Sequence, residues 1–455
     1  MKKVFILLAL VFAAACSPVP EFHRPDMALP DSWREEKAAA MDLANWWQLF
    51  KSPELAALQE KALQQNLDLR AALDRVEQAK AAEAIVGATF FPQAAISGGI
   101  SGERKRTSDT TTHSSAASGG VDVSYELDLF GANHASRAAA EAGVESSLFD
   151  SEALALVVSS DVAQTYAGAL ALKGRLHVAQ QSRENTRKTL DILEARFKAG
   201  ATSALEVEQQ KTELANADAG IAALENSLSV TVDALAVLLG ETPQTFKISA
   251  DSLGDITIPA ITPAQPSSLL ERRPDIRRAE ADLVAANADI GVARAAFFPS
   301  VNLGLTAALS VSPLSGPATS ALSLASSLSS PLFKGGSLQA GLEKSEARRN
   351  ELAENYRHAV LTSFQETEDA LAAMKNSRKR WKAYTNAVLS AEKAYHLADL
   401  RFKAGAVDYM TLLDSQRSLL SAKDNLISAN LERMNAGINL YKALGGGWLD
   451  GKSKK

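Results

Sequence analysis

Val121-Asp122-Val123-Ser124-Tyr125-Glu126-Leu127-Asp128-Leu129 alternates apolar and polar residues without a break, and this period of two decides how the chain is read. As a strand it places Val121, Val123, Tyr125, Leu127 and Leu129 on one face and Asp122, Ser124, Glu126 and Asp128 on the other. Upstream, Gln93 to Ser101 is the expected partner strand. Between the two lies a polar loop, Ser101 to Gly119, in which Arg104, Lys105 and Arg106 sit among serines and threonines. The hairpin is preceded by Phe90-Phe91-Pro92, where proline ends the helix before it: the residue ahead of a proline is pushed out of helical geometry, and proline itself cannot donate to the ladder.

Moving outward, the same landmarks return about two hundred residues later, a period far too long for a solenoid but suited to a duplicated domain. Asn66-Leu67-Asp68-Leu69-Arg70 is echoed by Arg273-Pro274-Asp275-Ile276-Arg277, and Phe90-Phe91-Pro92 by Phe297-Phe298-Pro299. Arg196-Phe197-Lys198-Ala199-Gly200 returns as Arg401-Phe402-Lys403-Ala404-Gly405, and Leu239-Gly240 as Leu444-Gly445. Each half reads as helix, strand, loop, strand, long helix, tight turn, helix. In the second half Val301, Leu303 and Leu305 alternate with Asn302, Gly304 and Thr306, and a weaker run lies near Leu322 to Leu332. The resulting division is 1–15 signal peptide, 16–50 N-terminal segment, 51–250 first repeat, 251–446 second repeat and 447–455 C-terminal tail.

Behind each strand pair stretches a helical segment, Asn133 to Ala199 and Leu338 to Ala404, each about 67 residues and so about 100 Å long at ~1.5 Å per residue. Such helices do not belong to a compact globule. The returning helix has a heptad-like seam, Leu214, Ala217, Ile221, Leu224, Leu228, Thr231, Leu235 and Leu238, which implies antiparallel coiled-coil pairing. Its counterpart keeps Leu419, Ala422, Leu426, Ala429 and Leu440, with Arg433 interrupting. Composition agrees: 46% of residues are hydrophobic but only 6% aromatic, which favours long packed helices over an all-strand sandwich. The fold class is mainly α with a small β part.

The N-terminus reads as an export signal, with Lys2 and Lys3, an apolar stretch from Val4 to Ala15, and small residues before Cys16. Cys16 is the only cysteine, so no internal disulfide forms. The segment resembles the bacterial lipobox, in which the cysteine is acylated and becomes the first mature residue; Ala13 stands where leucine is usual, and the alternative is an ordinary cleavage site. By the same resemblance Ser17 favours sorting to the outer membrane. The formal charge of -5 becomes more negative once the two signal lysines are removed, which speaks against nucleic-acid binding. Scattered histidines, with no phosphate loop and no nucleophile motif, call for no metal, no cofactor and no enzymatic role.

Strands of about ten residues, polar loops and an export signal together point to membrane strands, the alternative being a soluble hairpin. Four strands cannot close a barrel, and open edges leave unpaired backbone groups in lipid. Two chains would make a side-chain-filled barrel of eight strands and three a barrel of twelve with a passage, so a homotrimer is the smallest workable assembly.

At the turns between long helices, Arg196 and Lys198, and again Arg401 and Lys403, complement the carbonyl ends of their helices. Gly200 and Gly405 close them, and Ser203 with Glu206, or Asp408, caps the next helix. Capping accounts for these residues; the identity of the two motifs also suits a partner-docking tip. Beyond the tips the halves diverge: Leu205, Gln209 and Thr212 correspond to Met410, Asp414 and Arg417, an apolar residue and opposite charges on one face. Either this is a solvated face with an ordinary ion pair, or symmetry gathers the carboxylates into a constricting ring.

Taken together these residues resemble the TolC family of outer-membrane efflux proteins, and within it the OprM/CusC/NodT-like lipoprotein branch. The resemblance spans nearly the whole mature chain. Besides the repeat it includes Phe22-His23-Arg24-Pro25, Pro30-Asp31-Ser32-Trp33, Trp46-Trp47-Gln48-Leu49-Phe50 and Tyr125-Glu126-Leu127-Asp128-Leu129-Phe130-Gly131. It implies a lipid-anchored homotrimer, with a twelve-stranded barrel in the outer membrane continued by a helical barrel in the periplasm. Small molecules are conducted unchanged, delivered through a periplasmic adaptor from an inner-membrane pump, usually of the resistance-nodulation-division class. By the same resemblance the tips at Arg196 to Gly200 and Arg401 to Gly405 contact the adaptor, and Met410, Asp414 and Arg417 form the constriction, with Met410 in place of the more usual leucine. Two other readings are a periplasmic lipid-anchored coiled-coil spacer and a channel for type I protein secretion.

Overall fold

The computed structural model describes residues 18–34, 45–259, 265–312 and 317–446. The signal peptide, Cys16 and the C-terminal tail lie outside the described residues. The described residues fall into two compact units built from interleaved segments, one lying within 18–27, 74–149 and 277–359, the other within 28–73, 150–276 and 360–446. The two sequence repeats are therefore not two lobes; each contributes to both units.

The first unit holds one sheet of β1 (Gln93–Arg106), β2 (Thr111–Leu127), β3 (Ser300–Val311) and β4 (Thr319–Ser329), antiparallel throughout and in that order. The join between repeats is the β2–β3 ladder, where Asp122 faces Thr306 and Val121 faces Ala307. Directly opposed residues share a face. One face thus gathers Ala95, Asp122, Thr306 and Ser323, the other Ile96, Val121, Ala307 and Leu322. Asp122 ties the polar face across three strands, accepting hydrogen bonds from Ser97 Oγ at 3.0 Å and Thr306 Oγ1 at 2.9 Å.

The strands run farther than expected. Most of the anticipated Ser101–Gly119 loop is strand, and the turn is only 107–110, closed by Thr107 N–H donating to Thr110 O at 2.8 Å. Arg104, Lys105 and Arg106 are consequently strand residues. The alternation is illegible here because Gly98, Gly99, Gly102, Gly119 and Gly120 show no side chain to either face, and small hydroxyl residues suit both. A ladder needs only backbone partners, and these residues supply them.

The helices follow the expected plan: α1 (Pro53–Gln65) and α2 (Leu67–Gly87) before the first hairpin, then α3 (Ala132–Lys198) and α4 (Ala204–Leu238). The second half repeats it with α5 (Pro274–Ala295), α6 (Ser337–Lys403) and α7 (Tyr409–Ala443). α3 and α6 each have 67 residues, and α4 and α7 each have 35. Every seam residue of α4 from Leu214 to Leu238 is buried or half-buried, while most residues between them are exposed. Arg433, which breaks the seam of α7, lies over the Trp381 ring with its guanidinium carbon 4.4 Å from the centroid.

The repeated landmarks mark repeated joints in the second unit. The α4 end turns on Gly240 (φ 70°) and the α7 end on Gly445 (φ 73°). At each, the residue after the glycine donates back to a carbonyl five residues earlier, Glu241 to Ala236 and Gly446 to Tyr441. Asn66 Nδ2 donates to Leu238 O at 2.8 Å, and Arg273 Nη1, at the matching place in the second half, donates to Ala443 O at 3.0 Å. Asn66 and Arg273 thus satisfy orphan carbonyls of equivalent helix ends with different chemistry.

Candidate functional site

The sheet of the first unit is inside-out by the standard of a soluble protein. Ile96 is 88% exposed, Ile100 91%, Leu322 75% and Leu324 80%, all on the apolar face. On β3 the polar-face residues Thr306, Ala308 and Ser310 are half-buried, while Leu305, Leu309 and Val311 of the apolar face are exposed. The sheet therefore curves around its polar side. β1 and β4 each pair on one edge only among the described residues. A curved four-stranded sheet with an apolar convex face and two open edges suits a segment of a wall between lipid and water.

In the same unit, the chain just beyond Cys16 is held down. The glycine that closes the Tyr125–Gly131 motif has φ 74°, and a Cβ built there would lie 2.8 Å from Pro18 Cδ. A Cβ at Gly291 would lie 2.7 Å from Val19 Cγ2. Asn287 Nδ2 donates to Pro20 O at 2.7 Å. The motif and α5 together form a seat for the first described residues.

In the second unit, the two tip motifs are identical in sequence and different in surroundings. Both close by the same glycine turn: Gly200 and Gly405 have φ 73°, Ala201 donates to Arg196 O and Ala406 to Arg401 O, each at 2.8 Å. Ser203 Oγ accepts from Glu206 N–H at 3.4 Å and Asp408 Oδ1 from Thr411 N–H at 2.8 Å, as the caps require. Arg196 crosses to the second motif, donating from Nη2 to Phe402 O at 3.1 Å and Lys403 O at 3.4 Å, with its guanidinium 4.5 Å from the Phe402 ring centre. Phe402 is buried among Leu190, Leu193, Tyr409, Leu412 and Leu413, whereas Phe197 is exposed. Lys403 pairs with Asp399 at 2.7 Å; Lys198, Gly200, Arg401 and Gly405 are exposed.

Beyond the tips the structure revises the expected ion pair. Met410 and Asp414 are exposed on α7, as their face predicted, but Arg417 reaches Glu213 of α4, Nε to Oε1 at 3.2 Å and Nη2 to Oε2 at 2.5 Å. A fork on one carboxylate across two helices outcompetes a single contact within a helix because two parallel charge-assisted hydrogen bonds form along one guanidinium edge. The Glu213 hydrogen bond, and more weakly the Asp414 charge, hold the Arg417 pKa above its ordinary value against the opposing cost of burial.

This pair is one of several ties between α7 and the first hairpin. Tyr409 Oη donates to Gln210 Oε1 at 2.6 Å, Gln210 Nε2 to Thr186 O at 2.7 Å and Gln416 Nε2 to Thr186 Oγ1 at 2.8 Å. Burial, with Glu213 behind it, pushes the Tyr409 phenol up to about 12, so it stays a donor at any physiological pH. Arg175 grips Asp424 with both nitrogens, Nη2 to Oδ2 at 3.1 Å. Together these ties border a cleft of about 690 Å³ among Arg175, Ser182, Glu213, Gln416, Arg417 and Asp424. Sequence reading missed Glu213, Gln210, Tyr409, Gln416, Arg175 and Asp424. For one of them a signal existed: Gln210 falls where the seam of α4 continues towards the tip, four residues before Leu214, and a polar residue on a buried seam needs a partner.

Comparison with known proteins places this geometry. The sequence profile of the family described as "outer membrane efflux protein" matches residues 58–241 and 265–446, one match per repeat. The pyoverdine export outer membrane protein OpmQ of Pseudomonas aeruginosa is 35% identical over 98% of this chain and 97% of its own length. The cation efflux system protein CusC of Escherichia coli is 31% identical over 95% of this chain and 96% of its own. Among solved structures, the open state of the Neisseria gonorrhoeae outer membrane channel MtrE is similar with a TM-score of 0.84 and 28% identity, covering 95% of this chain and 98% of that one.

Proposed function

Because the chain belongs to the outer membrane efflux protein family and is an outer-membrane channel subunit of a tripartite efflux pump, we propose that it works as a homotrimer. Each copy lends its four strands to a barrel of twelve. The observation that carries this reading is the curved sheet, with its apolar face exposed and its edges open. In lipid those edges must find partners, and sister copies supply them without any new fold. The polar concave face, with Ser97, Asp122 and Thr306, then lines the passage.

In this reading the protein spends no energy of its own; small molecules arrive through a periplasmic adaptor from an inner-membrane pump of the resistance-nodulation-division type. The exposed tip residues Lys198, Gly200, Arg401 and Gly405 offer the adaptor its contact, while Arg196 and Lys403 are occupied within the chain. Acylation of Cys16 holds the subunit to the membrane, with the seat at Gly131 and Gly291 fixing where the anchor starts. Pyoverdine and cations are named as cargo of the relatives OpmQ and CusC, and selection among such molecules lies upstream.

Met410 and Asp414 form the constriction, and the Arg417–Glu213, Tyr409–Gln210 and Gln416–Thr186 ties keep α7 against the first hairpin, so that the constriction stays narrow until those ties yield. Planar-bilayer recording of purified protein tests this. Glu213→Gln and Arg417→Ala should each raise single-channel conductance several-fold over the parent. Unchanged current in both would overturn the gate, and a monomeric mass in detergent would overturn the trimer.

A further inference from the structure

Strand register divides the run Arg104-Lys105-Arg106 between two environments. Arg104 lies directly opposite His113 and Arg106 opposite Thr111, on the face shared by Ile96, Ile100 and Val121. Lys105 lies opposite Thr112 and Glu103 opposite Ser114, on the face shared by Asp122. The two guanidiniums therefore point to the lipid side of the wall and the lysine to the passage side. Arg104, Arg106 and His113 are exposed, and neither guanidinium meets a carboxylate among the described residues.

Their height is informative. On β2 the apolar face runs from Leu127 to Ala117, about 33 Å of strand and about 25 Å of height at a ~40° tilt, which matches the apolar band of an outer-membrane barrel. Ala117 pairs with Ile100, the last large apolar residue of β1. Arg104 follows about 13 Å farther along the strand and about 10 Å higher. An arginine side chain spans about 6–7 Å, so Arg104, bent back towards the apolar band, leaves its charged end in the headgroup layer. Arg104 and Arg106, their Cα atoms about 7 Å apart and beside the His113 imidazole, are thus left without a carboxylate partner among the described residues.

We propose that Arg104, Arg106 and His113 form a clasp for the phosphate of a glycolipid headgroup in the outer leaflet. Guanidinium forks match phosphate oxygens two at a time, and the apolar face below accepts the acyl chains. A glycolipid phosphate is favoured over a free anion because the clasp stands directly above the lipid-facing band. The inference rests on the membrane reading of the sheet.

Native mass spectrometry of the full-length protein in detergent, incubated with bisphosphorylated lipid A, its dephosphorylated form or phosphatidylglycerol, tests it. The parent should retain bisphosphorylated lipid A at least 10-fold better than the other two. The double variant Arg104→Ser/Arg106→Ser should fall to the dephosphorylated level, and Lys105→Ser should not change. Equal retention by the double variant, an equal loss in Lys105→Ser, or equal retention of phosphatidylglycerol would overturn the proposal. If the double variant fails to assemble, Arg104→Lys/Arg106→Lys, which keeps the charge and removes the fork, must still lose several-fold. Conductance of the parent is read separately: its absence would sink the channel reading, whereas normal conductance without lipid selectivity sinks only the clasp.

Discussion

Gly200 and Gly240 have nearly the same backbone, φ 73° and 70°, and opposite surroundings. A Cβ at Gly200 meets open space, while one at Gly240 would lie 2.5 Å from the carbonyl oxygen of Gln65. Gly200→Ala should cost about 1 kcal/mol, the strain of a left-handed residue. Gly240→Ala must also move backbone and should prevent assembly of the trimer, visible as a monomeric mass in detergent. Glu54 shows a second residue-scale device. It accepts from Ser249 N–H at 2.6 Å, Ala250 N–H at 2.9 Å and Tyr166 Oη at 2.8 Å, pinning the connector between repeats. Burial raises its pKa, but the backbone donors and the tyrosine outweigh it and hold the carboxyl below its usual value. The unfolded chain therefore takes up a proton more readily, so the contribution is present at neutral pH and is lost as pH falls through the lowered pKa. Glu54→Gln should lower stability by about 1 kcal/mol at pH 7, discounted for partial exposure, and by nearly nothing in strong acid, as read by denaturant titration at both pH values. That the glycines recur was legible in the sequence; that one faces a carbonyl and the other solvent was not, because Gln65 approaches Gly240 only through the fold.

The hairpin tips show what identical pentapeptides can do at the scale of elements. Both close their helices alike, because turn chemistry is local. Only Arg196 bridges, since Phe402 is buried beneath it while Phe197 faces solvent. Arg196→Gln removes the cation–π contact and a charge-assisted bond and should destabilise the joined tips by about 1–2 kcal/mol. Hydrogen exchange should then quicken in the last turn of α6 and the first of α7, with α1 and α2 unaffected; unchanged exchange would mean that the bridge contributes nothing. Helix limits were legible to within one residue at α3 and α6, where glycines with positive φ bound the helices on both sides. Strand limits were not, since glycine and serine carry no face.

At the scale of the whole molecule, the sheet can be tested one residue at a time. Leu324 is 80% exposed on the apolar face, and its neighbour Ser323 belongs to the face of Asp122 and Thr306. Leu324→Arg should cost about 2 kcal/mol of folding free energy in vesicles, because the charge enters lipid. Ser323→Arg should change stability by less than about 0.5 kcal/mol and shift the channel's ion preference towards anions. Equal effects of the two substitutions would mean that the faces are not lipid and water. The interleaving of repeats in both units follows from the same plan: long helices carry residues of each half into each unit.

The sequence by itself settled the duplication, the change from helical to strand period at each Phe-Phe-Pro, the long helical hairpins and the chemistry of their turns. All of these are written in local periods and in residues acting on their immediate neighbours. Only the tertiary structure decided that β2 of one repeat pairs with β3 of the other, that Arg417 holds Glu213 rather than Asp414, that Arg196 caps a helix two hundred residues away in the chain, and that Arg104 and Lys105 face opposite ways. Each depends on registers between distant segments. Register is set by the sum of many weak contacts, no one of which leaves a mark on the residues that make it.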